Sequence, residues 1–106
     1  MLFRSEGFNL NLPLAHGSGG QAMCEAVDRA IDAITRVGAD ALVVALGFDA
    51  HAQDPIGVLT LGASDFAAIA TRVRAAALPT LIVQEGGYAI DVLADCLIGF
   101  IDPLRR

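Results

Sequence analysis

Two short runs of apolar residues constrain the fold of this chain more than any other feature of the sequence. Residues 41–46 (ALVVAL) and 80–83 (TLIV) show no alternation of polar and apolar side chains. Strands without alternation are typical of parallel sheets, in which both faces are buried. Each run leads into a polar segment that contains glycine, so Asp49 and Tyr88 follow the carboxyl ends of the two strands. Since ligands of open parallel sheets bind outside those ends, both residues are candidates for a functional site.

The most strongly periodic segment predicts a helix before the first run. Apolar residues recur at helical spacing between Ala22 and Val37, with charged residues on the opposite face. Ser18 and Gln21 have the spacing of a capping box, in which a hydroxyl and an amide satisfy the first free N–H groups of a helix. Gly38 is the residue type expected at the C-terminal end. We therefore predict a helix that follows Ser18 and ends at Gly38.

Two further helices and one further strand complete the predicted order of elements. A second helix should begin near residues 64–65 and end at Pro79, and a third should run from Ile90 to a stop at Pro103. Residues 9–14 (NLNLPL) alternate, which predicts a short strand or an extended approach to one. The order β-α-β-α-β-α with right-handed crossovers predicts an α/β fold built on a parallel sheet.

A parallel sheet of three strands would be incomplete as a fold. Its edges would be open, and three helices could not easily cover both of its faces. We therefore expect the chain to be a segment of a larger sheet, to self-associate through its exposed sheet edges, or to pair with another polypeptide.

Composition and charge exclude several classes of protein. With 106 residues, of which 55% are hydrophobic, the chain suits a single globular unit and not a disordered one. A formal charge of −5 argues against nucleic acid or an anionic membrane as a partner. The longest apolar stretch is too short to cross a bilayer, and residues 1–5 lack the pattern of a signal peptide, so we expect a cytoplasmic protein. Cys24 and Cys96 lie in apolar, helical contexts and are expected to be buried, reduced thiols.

Four short motifs occur in a characteristic order along the chain. They are NLPL at 11–14, LGFD at 46–49, DP at 54–55 and EGGY at 85–88. In sequence and spacing they resemble the zinc-dependent deacetylase family of histone deacetylases and bacterial acetylpolyamine amidohydrolases, over residues 9–101. The resemblance implies that residues 1–106 are the C-terminal part of a single deacetylase-like domain, with residues 1–7 outside its conserved core.

The resemblance also implies a cofactor and a reaction. The complete protein would have an arginase/deacetylase-like three-layer fold, with helices on both faces of a larger parallel sheet. Asp49 would be one of three protein ligands of a catalytic Zn²⁺. Tyr88 would be catalytic, since it would donate a hydrogen bond to the substrate carbonyl and then to the oxyanion. Gly86 and Gly87 would let the backbone approach the substrate, a small-molecule or peptide acetylamide such as acetylpolyamine or acetyl-lysine, which is hydrolysed to release acetate.

The histidines of the chain do not supply the rest of such a site. The family's other two zinc ligands and its paired catalytic histidines would lie upstream of the residues present here. His51 stands two residues after Asp49, but the family's ligand in this segment is the aspartate alone, so we expect His51 at the pocket rim or supporting the ligand. His16 is expected to face solvent. The isolated chain should therefore be inactive.

Two other functions stay open on the residues alone. The glycine-rich loop 16–20 (HGSGG) precedes a predicted helix, so a nucleotide-binding α/β module is one alternative, although the loop lacks the G-x-G-x-x-G and Walker patterns. A catalytically inert interaction fragment or pseudoenzyme is the other, because half of the site is missing. Near the strand ends, we expect Asp54 to shape the turn that holds Asp49, and Glu85 to fix the glycine turn by a hydrogen bond to the backbone.

Overall fold

The computed structural model describes residues 9–105, and within them helices flank a small parallel sheet. The elements in chain order are α1 (Gly20–Arg36), β1 (Leu42–Leu46), α2 (Ala63–Ala75), β2 (Thr80–Gln84) and α3 (Ile90–Leu104). The two apolar runs form the strands, and α2 is the crossover between them. The predicted α/β class with a parallel sheet is therefore confirmed.

Pairing between the strands continues past their ends and brings the LGFD and EGGY motifs together. The register places Leu46 opposite Gln84. Beyond this pair, the N–H of Glu85 donates to the carbonyl of Leu46 at 2.7 Å. The N–H of Phe48 donates in turn to the carbonyl of Gly86 at 2.9 Å. The two motifs therefore lie side by side at the carboxyl edge of the sheet.

The hydrophobic core lies between one face of the sheet and the helices α2 and α3. The cluster of buried residues comprises Leu46, Phe48, Leu61, Phe66, Ala70, Cys96 and Phe100. Within it, the rings of Phe48 and Phe66 meet edge to face, with their centroids 5.0 Å apart. Because Phe48 directly precedes Asp49, this packing also anchors the start of the loop that follows β1.

The opposite face of the sheet is apolar and is left largely exposed by residues 9–105. Val43 pairs with Leu81 on this face, and the two residues are 66% and 60% exposed. Val83 lies beside them and is also exposed. The sequence predicts that both faces of the strands are buried, but in the described chain only one face is. Helices α2 and α3 contribute to the same core cluster, and α1 packs against α2, so these contacts leave the second face uncovered.

The first predicted strand is absent from the described chain, so the sheet has two strands there instead of three. Residues 9–14 form an irregular segment that lies along α1, where Asn11 and Pro13 border a shallow groove with Glu25 and Arg29. Pro13 has no backbone N–H to donate to a ladder. Residues 9–14 therefore lie against α1 and do not pair with β1 or β2.

The capping box predicted from Ser18 and Gln21 is wrong. The helix begins at Gly20, and its N-cap residue Gly19 makes no side-chain hydrogen bond to the first turn. The hydroxyl of Ser18 donates instead to the carbonyl of Ala15 at 2.6 Å. Serine often bonds to nearby backbone in this way, and the bond competes with a capping role.

The helix ends agree with the sequence more closely at α1 than at α2 and α3. Gly38 has a φ of +71° just after α1, as predicted for a C-terminal glycine. Helix α2 ends at Ala75, four residues before Pro79. Helix α3 continues through Pro103, which was expected to stop it. Since Pro103 lies in the last turn, its missing N–H removes a single helical hydrogen bond, which the helix tolerates there.

Both cysteines are buried free thiols, as predicted. Burial raises the pKa of the Cys96 thiol, and the neighbouring carboxylate of Asp95 raises it further. A thiol in these surroundings stays neutral and serves as a small apolar group in the core.

No helix within residues 9–105 combines the length and the apolar character that a membrane span requires. The prediction that residues 1–7 stand outside the conserved core concerns a segment beyond the described residues.

Candidate active site

An open cleft lies at the carboxyl edge of the two strands, where an open parallel sheet binds its ligands. It has a volume of about 440 Å³. Its lining includes Met23, Gly47, Asp49, Leu59, Glu85 and Gly86. Residues that follow β1 and residues that follow β2 thus share one cleft, and Asp49 lies in it.

The carboxylate of Asp49 lies against one glycine from each motif. A Cβ built on Gly47 would be 2.7 Å from Asp49 Oδ1, and a Cβ built on Gly86 would be 2.6 Å from Oδ2. Any side chain would therefore collide with the carboxylate, so only glycine lets both backbones approach it. Asp49 is half-buried, and its carboxylate accepts no hydrogen bond from residues 9–105. A half-buried carboxylate that accepts no hydrogen bond from its surroundings is suited to bind a cation.

Replacing Gly86 by alanine should destabilise the chain, because the new methyl group would lie within 3.1 Å of both Oδ2 and Cγ of Asp49. Because the Asp49 carboxylate can rotate away from the new methyl group, the free energy of unfolding should fall by about 1 kcal/mol, the low end of the usual cost of overpacking, which urea denaturation can measure. Gly99→Ala is the matched control inside α3. Its methyl group would lie 3.4 Å from the carbonyl oxygen of Ala63, and alanine favours a helix, so stability should be kept or rise. Equal losses in the two variants would contradict the close approach at Gly86.

Tyr88 is fixed through its backbone and not through its ring. Its N–H donates to Oδ2 of Asp54 at 2.8 Å, whereas the residue as a whole is 52% exposed. Gly87, which precedes it, has a φ of +138°, a conformation that favours glycine. The structure brings Gly86 against Asp49, but Tyr88 lies outside the residues that line the cleft. Since about half of Tyr88 is exposed, the residue is open to a ligand that enters from solvent.

Asp54 joins the loop after β1 to the EGGY motif from a buried position. It is 8% exposed, and its Oδ1 accepts the N–H groups of Ile56 and Gly57 at 2.8 Å each. These two bonds form the turn that the sequence predicts for an aspartate before proline. Oδ2 accepts the N–H of Tyr88, which lies 34 residues further along the chain. Sequence reasoning missed this second contact, because an Asp-Pro pair signals a local turn and carries no information about a distant partner.

The structure favours the ionised form of Asp54. Burial acts to raise its pKa, but the three backbone N–H bonds and the nearby His51 outweigh that effect, so the pKa lies below its ordinary value of about 4. Because the pKa of Asp54 is lower in the folded state than in the unfolded state, its ionisation stabilises the fold. This stabilisation is complete above the unfolded-state pKa and is lost as the pH falls through the folded-state pKa.

The free energy of unfolding should therefore decrease as the pH falls below about 4. Asp54→Asn removes the titrating group, so the decrease should be shallower in that variant. Urea denaturation at a series of pH values measures both slopes. Asp40→Asn is a suitable control, since Asp40 is exposed. The interpretation fails if Asp54→Asn and the unsubstituted chain lose stability in parallel.

The structure places the two histidines and Glu85 in different surroundings. His51 is buried, and its Nδ1 accepts the N–H of Gln53 at 3.0 Å, which commits that nitrogen to the loop after β1. His16 is exposed in a turn, as expected. Glu85 lines the cleft and is exposed. Its backbone N–H, and not its carboxylate, makes the bond that ties the glycine turn to β1 in the described chain, so the role predicted for its side chain is wrong.

The residues present do not complete a zinc site. Across the described part of the chain, no three His, Cys, Asp or Glu side chains converge as a metal-binding group. A catalytic zinc site requires three protein ligands beside an open position. Asp49 and Glu85 both line the cleft, but the described residues by themselves do not form the Zn²⁺ site that the motifs imply.

The glycine-rich loop 16–20 does not present a phosphate cradle. The N–H of Gly17 donates to the carbonyl of Val58 at 2.7 Å, and the N–H of Ser18 closes a local turn. The hydroxyl of Thr60 lies 3.2 Å from the carbonyl oxygens of both Gly17 and Ser18. These bonds fasten the loop to a neighbouring segment and use the N–H groups of Gly17 and Ser18, which weighs against the nucleotide-binding alternative.

Sequence comparisons connect the chain with deacetylases. A family model described as histone deacetylase domain matches residues 3–104. The acetylpolyamine amidohydrolase of Burkholderia pseudomallei is 44% identical over 87 residues, which are 82% of this chain and 26% of that protein. Acetylpolyamine amidohydrolase 1 of Pseudomonas aeruginosa is 42% identical over 88 residues, which are 83% of this chain and 25% of that protein. The chain thus spans about a quarter of the length of these curated relatives.

Solved structures agree with the sequence matches. The crystal structure of acetylpolyamine aminohydrolase from Burkholderia pseudomallei superimposes with a TM-score of 0.88 at 40% identity, covering 92% of this chain and 29% of the other. The histone deacetylase Clr3 superimposes with a TM-score of 0.84 at 27% identity, covering 92% of this chain and 17% of the other. With the family match over nearly its whole length, the chain belongs to the histone deacetylase domain family.

Proposed function

We propose that Asp49 and Tyr88 belong to the active site of a deacetylase that hydrolyses acetylated amines and releases acetate. The observation that carries the proposal is the Asp49 carboxylate, which two motif glycines flank and which accepts no hydrogen bond from the described residues. The names of the acetylpolyamine amidohydrolase relatives support the class of reaction.

Each residue has a distinct role in the proposed site. In the complete domain Asp49 would be one ligand of a catalytic Zn²⁺, and the described residues do not supply the others. Tyr88 would donate its phenolic hydrogen to the carbonyl oxygen of the scissile amide. That hydrogen bond strengthens as the oxygen becomes an oxyanion, so it favours the transition state over the bound substrate. Gly86 and Gly87 would bring backbone without side chains beside the substrate.

Acetylated polyamines are the first substrate class that we propose, and acetyl-lysine peptides are the second. A polyamine that carries one acetyl group keeps positive charges on its other amines. The chain has a formal charge of −5, and the exposed Glu85 lines the cleft, so these charges would favour a cationic ligand over a neutral one. Comparing the turnover of an acetylpolyamine with that of a neutral acetamide of similar length would test this preference.

The decisive experiment is a chimera in which residues 9–104 replace the corresponding part of the Burkholderia pseudomallei relative. The superposition of the two folds makes this exchange feasible. Purified with Zn²⁺, the chimera should hydrolyse an acetylpolyamine and release acetate. A folded, zinc-loaded chimera that releases no acetate would contradict the proposal.

An inert interaction fragment is the second candidate, because no three potential metal ligands converge among the described residues. We expect the 106-residue chain alone to turn over neither acetyl-lysine nor acetylpolyamine in the presence of Zn²⁺, and to retain no stoichiometric zinc after dialysis. Turnover by the isolated chain that Tyr88→Phe abolishes would overturn this expectation. An inactive chimera combined with a stably folded chain would favour the inert role.

A further inference from the structure

One buried carboxylate holds both loops of the candidate site. Oδ1 of Asp54 accepts two N–H groups within the loop that follows β1, at Ile56 and Gly57. Oδ2 of the same side chain accepts the N–H of Tyr88, in the loop between β2 and α3. All three distances are 2.8 Å, and Asp54 is 8% exposed. Bonds from N–H groups to an ionised carboxylate are among the stronger hydrogen bonds in proteins.

The turn that Asp54 forms packs directly on the backbone of Asp49. A Cβ built on Gly57 would lie 1.8 Å from the carbonyl oxygen of Asp49, so the two backbones touch where a side chain cannot fit. Since Oδ1 of Asp54 fixes the N–H of Gly57, it also fixes the surface against which Asp49 rests. The side chain of Asp54 therefore contacts both the backbone of Gly57, against which Asp49 rests, and the backbone of Tyr88.

Tyr88 has few other restraints in the described chain. It is 52% exposed and does not belong to the core cluster. The residue that follows it, Ala89, is the N-cap of α3, and no side chain caps that end of the helix. The bond to Asp54 is thus the contact that ties the backbone of Tyr88 to the loop after β1.

We propose that Asp54 is a positioning residue that sets the placement of Tyr88 relative to Asp49. The significance of that placement rests on the proposed function, since a displacement of about 1 Å between catalytic groups can cost about 100-fold in rate. The contact itself requires neither metal nor substrate, so it can be tested in the chain as it stands.

Asp54→Asn is the variant that isolates the contact. An asparagine keeps the shape of the side chain but replaces one accepting oxygen by an NH₂ group. With its oxygen toward Ile56 and Gly57 it keeps two bonds, and its NH₂ group then faces the N–H of Tyr88. The hydrogen bond to Tyr88 is lost first, while the local turn is largely kept.

Hydrogen exchange of individual amides by NMR measures this loss. In Asp54→Asn the amide of Tyr88 should exchange about tenfold faster or more, relative to the unsubstituted chain, because it no longer donates to a carboxylate. The amide of Phe48, which donates to Gly86 in the adjoining ladder, should change much less.

The ring of Tyr88 supplies a second, spectroscopic readout. The chain contains one tyrosine and no tryptophan, so its intrinsic fluorescence reports on Tyr88 alone. In Asp54→Asn the time-resolved anisotropy of this fluorescence should show faster and wider local motion, while far-UV circular dichroism is unchanged. A merely structural role for Asp54 would change the global fold and the fluorescence together.

Asp65→Asn is the matched control, since Oδ2 of Asp65 also accepts one loop N–H, from Gly62 at 2.8 Å. It should speed exchange at Gly62 and leave Tyr88 unchanged. Unchanged exchange and anisotropy of Tyr88 in Asp54→Asn would overturn the proposal, and so would an equal effect of Asp65→Asn on Tyr88.

A measurement on the unsubstituted chain keeps the proposal testable if Asp54→Asn does not fold. Scalar coupling across the hydrogen bond, between the amide nitrogen of Tyr88 and the carboxylate carbon of Asp54, detects the contact directly. Its presence would support the proposal, and its absence, or a chain without dispersed amide resonances, would overturn it. None of these readouts involves turnover. The test of the Asp54–Tyr88 contact can therefore be negative while the chimera is active, or positive while the chimera is inactive.

Discussion

Replacing Tyr88 by phenylalanine is expected to lower kcat of the active chimera by about 10²–10³-fold, the usual cost of removing one donor to an oxyanion. Phenylalanine keeps the ring and the backbone N–H that donates to Asp54, so the phenolic hydroxyl alone is lost. Because that hydroxyl acts mainly on charge that develops in the transition state, KM should change much less than kcat. Initial rates of acetate release over a range of acetylpolyamine concentrations separate the two constants.

The matched control for this prediction is Ile90→Val, two residues further along the chain. Ile90 is the first residue of α3 and is 80% exposed, so the loss of one methyl group there should leave kcat unchanged. Both variants should unfold at the temperature of the unsubstituted chimera. An unchanged kcat in Tyr88→Phe, or an equal loss in Ile90→Val, would remove Tyr88 from the chemistry.

The elements that carry the site could be predicted from sequence because their signals are local. Runs without alternation identify β1 and β2, and helical spacing followed by Gly38 identifies α1 and its end. Parallel pairing of the two strands then places Asp49 and Gly86 at one edge. The location of the cleft follows from these elements alone.

Other features depend on contacts that no local pattern encodes. Ser18 has the residue type and spacing of a cap, yet its hydroxyl bonds to Ala15, because the loop before α1 folds into a turn of its own. Residues 9–14 alternate like a strand, yet they lie along a helix. The bond between Asp54 and Tyr88 joins positions 34 residues apart. In each case tertiary contacts outweigh the local preference.

On the exposed face of the sheet, the sequence predicts burial that the described residues do not provide. Val43 and Leu81 belong to runs whose composition predicts burial on both sides, yet both are exposed in the structure. Apolar strands of this kind belong to sheets that have cover on both faces. The chain spans about a quarter of the length of its curated relatives, in agreement with strands whose sequences suit a larger sheet.

The largest loss of stability is expected in the core, where Phe100→Ala should lower the free energy of unfolding by about 3–5 kcal/mol. Phe100 is 0% exposed and belongs to the cluster that joins α3 to α2 and the sheet. A single domain has a total stability of about 5–15 kcal/mol, so the variant should retain little of it. Urea denaturation followed by far-UV circular dichroism measures the loss, provided that the m-value is unchanged.

Ile98 supplies the matched control on the same helix, because it is 65% exposed two residues before Phe100. Ile98→Ala should change the free energy of unfolding by less than about 0.5 kcal/mol. Helix α3 begins two residues after Tyr88, so weaker anchoring at Phe100 should also loosen that tyrosine. Its fluorescence anisotropy should then fall at urea concentrations where Ile98→Ala is still folded. If both variants lose the same stability, α3 is not anchored through its Phe100 face, and the position of Tyr88 cannot depend on that packing.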